Sequence, residues 1–195
     1  MCLSPSLWAA TASVNVSVNG GAVVSTVNGS FETCYYNCDA NGQNCSATNR
    51  GSVSLYLGGG FLCSASGNGS ASCTGSTLDR GGLNGTHVFT GYASDCKGSA
   101  SNSYTLILDN TPTISVTGPS GTVSAPFDIT GTATFKPTLN NVKGTISATM
   151  YYSGGWGYQS LPTKTCYTEN CSYSYKEMSG SLYDLNQGSY FVIMG

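Results

Sequence analysis

The chain has 195 residues, of which only 8% are charged, and it contains 26 glycines and nine cysteines. Seven Lys and Arg residues against nine Asp and Glu residues give a net charge of −2, so no basic face can neutralise a row of phosphates and no nucleic-acid partner is expected. The composition is typical of many short β-strands joined by tight turns, and no stretch reaches the length of a membrane span.

The N-terminal segment, residues 1–12 (MCLSPSLWAATA), ends in Ala10-Thr11-Ala12, the small-x-small pattern of a signal-peptidase site. Its apolar run is short and contains no Lys or Arg. We therefore predict either a signal-peptide remnant or a disordered N-terminus.

A β pattern begins at Ser13, where Val14, Val16 and Val18 alternate with polar residues. Turn residues then separate a series of short apolar segments, which is the spacing expected of a β-sandwich. The further strands are predicted at residues 23–31, 51–57, 61–66, 71–78, 83–92 and 103–108. The strands at 61–66 and 71–78 are expected to form a hairpin around Gly67-Asn68-Gly69.

Residues 104–118 (YTLILDNTPTISVTG) read as a strand, a sharp break at Asn110-Thr111-Pro112, and another strand. This pattern predicts a seam between two β-domains. Their bounds are residues 13–110 and 111–195.

The second half of the chain repeats the first. The segment VNGS at 27–30 corresponds to ITGT at 129–132, GSVS at 51–54 to GTIS at 144–147, and Leu83-Asn84 to Leu185-Asn186. Phe89 then corresponds to Val192, so the first domain's last strand has no counterpart in the second. We expect a fragment of a longer array, with a strand donated by another molecule as the alternative.

Residues 83–98 (LNGTHVFTGYASDCKG) and 104–119 (YTLILDNTPTISVTGP) resemble the junction between two bacterial immunoglobulin-like repeats. The resemblance rests on three short motifs. They are the turn at Leu83, Gly85 and His87, the Asp-x-x-Gly turn at Asp95 and Gly98, and the link at Asp109, Asn110, Thr111 and Pro112.

This resemblance implies an all-β fold of two tandem immunoglobulin-like antiparallel β-sandwiches, the second lacking its last strand. It also implies a non-catalytic spacer or adhesion module of a secreted or cell-surface protein, without a cofactor. The expected partners are neighbouring immunoglobulin-like repeats of a longer chain, and a surface glycan or protein ligand.

Eight cysteines besides Cys2 lie mostly in polar, turn-rich sequence, which indicates disulfides and an oxidising compartment. The implied immunoglobulin-like topology brings the loop after the second strand near the turn after the sixth. The expected pairs are Cys34 with Cys96, Cys38 with Cys45, and, at corresponding hairpins of the two repeats, Cys63 with Cys73 and Cys166 with Cys171. A zinc site formed by Cys34, Cys38, Cys45 and Cys96 is the alternative, although their spacing does not match common zinc motifs.

Residues for catalysis are few. His87 is the only histidine, and its alignment with Tyr190 favours a corner-packing residue over a base. The carboxylates form no repeated pair, so no enzyme is expected. Asp95, Asp109 and Asn110 are weak candidates for a calcium site at the seam, with ordinary turn hydrogen bonding as the alternative.

Aromatic residues are denser in the second repeat. Trp156, in a glycine-rich loop, and nearby Tyr158 are candidates for stacking on sugar rings, whereas strand-face packing is the simpler explanation. A carbohydrate-binding module is therefore the second functional hypothesis. A filament subunit that assembles by strand donation is a further alternative, and an enzyme ranks third.

Overall fold

The computed structural model describes residues 9–118, 127–152, 158–177 and 190–194. These residues form antiparallel β-sheets and contain no α-helix, which confirms the all-β prediction. The chain divides into two compact units, Met1–Asp109 and Asn110–Gly195. Each unit has its own hydrophobic core.

The first unit contains short strands and one 3-10 turn at Arg80–Gly82. Its strands are β1 (Thr11–Asn19), β2 (Ala22–Ser30), β3 (Cys34–Tyr36), β4 (Ser46–Thr48), β5 (Arg50–Leu57), β6 (Gly60–Asn68), β7 (Ser70–Thr74), β8 (Leu78–Asp79), β9 (Gly85–Asp95) and β10 (Ser99–Leu108).

Two sheets enclose the core of this unit. One has the order β1-β2-β7, with β8 also paired to β2, and the other has the order β10-β9-β5-β6. Alternate side chains point inward, so Val23 and Val27 from the first sheet and Leu55 and Phe89 from the second are fully buried. Burial of each such side chain stabilises the fold by about 1.5 to 3 kcal/mol relative to its exposure.

The hairpin predicted around Gly67-Asn68-Gly69 is wrong, because β6 pairs with β5 and β7 pairs with β2. The chain crosses from one sheet to the other at this point. Gly69 has a φ of +74°, which favours glycine, and its backbone bonds to two other segments. Its N–H donates to the Asn49 carbonyl at 2.9 Å, and its carbonyl accepts from the Phe31 N–H at 2.9 Å.

The start of the first unit is partly described. Ala10 is buried in the core, and Thr11 and Ala12 belong to β1. Residues 1–8, most of the predicted signal-peptide remnant or disordered terminus, lie outside the described residues.

The second unit is also built of short antiparallel strands. Its strands are β11 (Thr113–Thr117), β12 (Phe127–Thr134), β13 (Gly144–Ile146), β14 (Ala148–Tyr152), β15 (Tyr158–Ser160), β16 (Lys164–Cys166), β17 (Asn170–Glu177) and β18 (Tyr190–Met194). They pair in the orders β11-β12-β17, β13-β16 and β15-β14-β18. Ile129, Ile146 and Met150 lie in the core.

A glycine beneath a phenylalanine ring occurs in both units. A Cβ added at Gly51 would overlap the ring of Phe31, and a Cβ added at Gly144 would overlap the ring of Phe135. Only glycine allows the two groups to approach so closely. The sequence match between Gly51 and Gly144 therefore has the same structural cause in each unit.

The same phenylalanines also make equivalent backbone hydrogen bonds. The Phe31 N–H donates to the Gly69 carbonyl at 2.9 Å, and the Phe135 N–H donates to the Glu169 carbonyl at 2.8 Å. Each acceptor is the residue just before a strand, β7 in the first unit and β17 in the second. The two units thus share internal packing as well as sequence.

The second unit is predicted to lack the strand that would pair with the free side of β18. Val192 of β18 pairs with Met150 of β14, as Phe89 of β9 pairs with Leu57 of β5. Within the described residues of the second unit β14 is the one strand paired to β18, whereas β9 lies between β5 and β10. The matched Leu185-Asn186 pair lies outside the described residues.

Candidate binding face of the first unit

Four disulfides join the cysteines in the pairs expected from the sequence. They are Cys34–Cys96, Cys38–Cys45, Cys63–Cys73 and Cys166–Cys171. The four thiols of the alternative zinc site are thereby paired with one another. Several disulfides in one chain indicate an oxidising environment, as found outside the cell.

Two of these disulfides link facing sheets rather than the strands of a hairpin, which corrects the predicted hairpin placement. Cys63 lies on β6 and Cys73 on β7, which belong to the two different sheets of the first unit. Cys166 on β16 and Cys171 on β17 are likewise in different sheets. In each unit the disulfide thus joins one sheet to another, although the bonded positions differ along the strands, since Cys63 is opposite Leu55 whereas Cys166 is opposite Gly144.

Asp95 organises the turn between β9 and β10. Its carboxylate accepts backbone N–H bonds from Glu32 at 2.9 Å, Lys97 at 2.8 Å and Gly98 at 3.1 Å. Burial raises the pKa of the Asp95 carboxyl, but these donors and the charge of Lys97 outweigh it and hold the pKa below its ordinary value. Asp95 thus ties the turn to the chain segment after β2.

Of the calcium candidates, Asp95 lies at the end of β9, and Asp109 and Asn110 follow the end of β10. Asp95 has the backbone partners just described, and Asp109 and Asn110 fall on either side of the boundary between the units. Across the described residues, no group of three or more His, Cys, Asp or Glu side chains is arranged to hold a metal ion. Calcium at the seam stays a prediction.

His87 is half-buried on β9, and its Nε2 lies 3.1 Å from the Asn84 carbonyl oxygen. This contact holds the ring against the turn that precedes its own strand. The corner-packing role of His87 stays a prediction.

Of the two predicted glycan-stacking residues, Trp156 lies outside the described residues. Tyr158 on β15 is 72% exposed, and its ring centroid lies 6.0 Å from that of Tyr151 at an interplanar angle of 37°. Tyr158 is thus accessible.

A larger aromatic cluster lies in the first unit, on the outer side of the β10-β9-β5-β6 sheet. Tyr56 lies on the central strand β5, between Phe61 on β6 and Tyr92 on β9. The Tyr56 centroid is 5.7 Å from each of the other two, at interplanar angles of 71° and 83°. Phe61 is 59% exposed and Tyr92 is 47% exposed. Neighbouring residues of a strand point to opposite faces of the sheet. Because Leu55 points into the core, Tyr56 next to it points outward, toward the other two rings.

Small hydroxyl side chains continue this surface away from the rings. Ser52 lies between Ser66 and Ser94 on the neighbouring strands, and Ser54 lies between Ser64 and Tyr92. The Ser52 and Ser94 hydroxyls are 3.1 Å apart. We call the outward side of these three strands the aromatic–serine face. Its residues are Ser52, Ser54, Tyr56, Phe61, Ser64, Ser66, Tyr92 and Ser94.

A depression of about 640 Å³ lies at the serine end of this face. It carries one positive and one negative side chain among neutral polar groups. The lining residues are Arg50, Gly51, Ser52, Ser66, Gly67, Asn68, Ser94 and Asp95. Since Tyr92 is two residues from Ser94 on the same strand face, the depression and the aromatic cluster are contiguous.

This face is not evident from the sequence, in which the second half of the chain holds more tyrosines. The sequence does show serine at alternate positions in two neighbouring strands, which indicates a shared outward face. These segments are SVSLY at 52–56 and FLCSAS at 61–66. Recognition of the cluster also needs Tyr92, which joins it only through the register of β5 with β9.

Comparison with protein-family models and with curated proteins finds no match for this chain. In the described part of the chain, no helix has both the length and the apolar character needed to cross a membrane.

Proposed function

We propose that the chain is a non-catalytic, extracellular adhesion module built from two immunoglobulin-like β-sandwiches in tandem. The strand order of the first unit supports this fold. The sheets β1-β2-β7 and β10-β9-β5-β6 correspond to the A-B-E and G-F-C-C′ strands of an immunoglobulin-like sandwich.

One observation carries the tandem part of the proposal. Each unit has a glycine beneath a phenylalanine ring, Gly51 with Phe31 and Gly144 with Phe135, and each has a disulfide that links equivalent strands. Duplicated units of this kind are typical of chains that extend a binding site away from a surface. The proposed partners are further repeats of a longer chain and a ligand on an opposing surface.

Filament assembly by strand donation is the second candidate, and exposure of β11 favours it. Ile114 is 41% exposed and Val116 is 43% exposed, although both lie on a strand that pairs with β12. An added strand would cover such side chains and extend the sheet that ends at β18.

A retention assay under flow tests the adhesive role. Beads that carry the oxidised chain should be retained on mucin or extracellular-matrix coatings more strongly than beads that carry the reduced and alkylated chain, because the disulfides hold the folded surface together. Equal retention of the two bead types on every coating would contradict adhesion by the folded module.

A further inference from the structure

We propose that the aromatic–serine face of the first unit binds a neutral oligosaccharide. Sugar rings would stack on the cluster formed by Tyr56, Phe61 and Tyr92, and sugar hydroxyls would bond to the adjoining serines and to the depression that Arg50 borders. This inference rests on the proposed extracellular adhesion function and deepens it, since it names the ligand class and the site. It places the site in the first unit rather than at Trp156 and Tyr158.

The aromatic cluster supplies the apolar part of the recognition. Phe61 keeps 59% of its surface in solvent and Tyr92 keeps 47%, so two large exposed rings flank Tyr56 outside the core. Contiguous exposed apolar groups bordered by polar ones mark interaction sites on soluble proteins. The carbon-bound hydrogens of a pyranose ring form an apolar surface that is attracted to the negative face of an aromatic ring.

The serine rows supply the polar part. Each hydroxyl both donates and accepts hydrogen bonds, as sugar hydroxyls do. Ser52, Ser64, Ser66 and Ser94 are exposed, and they are too short to block a ligand lying along the strands. A chain of sugars would therefore meet hydroxyls spaced about 5 Å apart across strands and about 7 Å apart along them.

The charge of the surface favours a neutral ligand. The serines and aromatic rings carry no charge, and the depression combines the positive Arg50 with the negative Asp95. Such a balance gives no field to concentrate a polyanion such as a sulfated glycan. It also leaves Arg50 as a donor toward sugar oxygens.

The orientation of the three rings further restricts the kind of saccharide that can bind. Phe61 and Tyr92 are each nearly perpendicular to Tyr56, at 71° and 83°. The three rings therefore do not form the coplanar platform that a flat crystalline polysaccharide would need. They suit a single oligosaccharide chain that presents apolar faces in more than one direction.

The test is titration of the full oxidised chain with cellohexaose, laminarihexaose, chitohexaose and mannohexaose, followed by calorimetry or NMR. At least one hexaose should bind, and Phe61→Ser and Tyr92→Ser should each weaken that binding about tenfold through loss of a stacking ring. Tyr35→Ser and Tyr167→Ser are matched controls, since these tyrosines are 68% and 66% exposed but lie elsewhere, and binding should change less than about twofold.

Ser64→Arg is a second variant that keeps every ring and should block the face by its size and charge. Its circular dichroism spectrum and melting temperature establish that it is folded. Failure of all four hexaoses to bind would overturn the proposal. Binding that survives Phe61→Ser, Tyr92→Ser and Ser64→Arg but is lost in Tyr158→Ser would move the site to the second unit and overturn the placement.

The bead assay separates this inference from the proposed function. Retention that persists in Phe61→Ser, together with no hexaose binding, would leave an adhesion module with another ligand and would contradict only the glycan site. Stronger binding to a heparin hexasaccharide than to any neutral hexaose would contradict the charge argument and with it the proposed ligand class.

Discussion

The first strands of the two units pair alike but bury their side chains differently. β1 pairs with β2 and β11 pairs with β12, in both cases antiparallel. Val14 and Val16 of β1 are half-buried against the core, whereas Ile114 and Val116 of β11 are 41% and 43% exposed. Pairing of the backbone is therefore not what buries these residues.

The difference follows from the strand opposite. β1 packs against β10, whose Leu106 and Leu108 belong to the core. In the described part of the second unit, β11 packs against β18 instead. β1 is thus covered by both β9 and β10, whereas in the described residues β11 is covered by β18, which matches β9.

Leu108→Ala should destabilise the first unit strongly and uncover β1. Loss of a buried leucine leaves a cavity, so the free energy of unfolding should fall by about 3 kcal/mol, and β1 should come to resemble β11. Urea unfolding measures the free energy, and hydrogen exchange of the Val14 and Val16 amides reports on β1. Ile107→Ala on the same strand is the control, because Ile107 is 72% exposed and its loss should cost less than about 0.5 kcal/mol. A similar loss for both variants would show that core packing is not the cause.

Gly51→Ala and Gly144→Ala should destabilise the two units to a similar extent. The added methyl meets the ring of Phe31 in one case and Phe135 in the other, so each variant should lose about 2 kcal/mol of unfolding free energy through overpacking. Thermal denaturation followed by circular dichroism gives the values.

The controls are Gly82→Ala in the first unit and Gly118→Ala in the second, since an added Cβ meets nothing within 4 Å at either position. Both should stay within about 0.5 kcal/mol of the parent chain. A loss at Gly51 without a matching loss at Gly144 would argue against a duplicated packing unit.

Much of this architecture can be predicted from the sequence, because the alternation of apolar residues determines which face of each strand is buried. The match of Gly51 to Gly144 predicts the shared contact of each glycine with a phenylalanine ring, and the cysteine pairs are those expected from the topology that the resemblance implies. The crossing of the chain from one sheet to the other at Gly69 cannot be predicted in this way, since the periodicity of a strand does not determine which sheet the strand joins. The aromatic–serine face is hidden for a related reason, because Tyr56 and Tyr92 become neighbours only through the pairing of β5 with β9.

Asp95→Asn should destabilise the chain the least of these variants. It tests the hydrogen bond that joins the turn after β9 to Glu32 in the first unit. Because folding lowers the pKa of this carboxyl, its stabilisation is present above the ordinary carboxyl pKa and is lost as the pH falls through the lower folded value. Solvent screening limits the loss at pH 7 to less than about 1 kcal/mol. The difference in melting temperature between the parent chain and Asp95→Asn should shrink from pH 7 to pH 2. A difference that stays constant over this range would contradict the contribution of the charge.

The Cys34–Cys96 bond has a mechanical consequence. When a force pulls the ends of the chain apart, it is transmitted through this covalent bond. The segment between the two cysteines is therefore not stretched. The bonded residues are 62 apart in sequence, so about 210 Å of extended backbone is withheld from stretching while the bond is oxidised. Cys166–Cys171 encloses a separation of only 5 and withholds little. Until this bond is reduced, the first unit can thus lengthen only through the residues outside the Cys34–Cys96 segment, whereas the disulfide of the second unit withholds little of that unit's length.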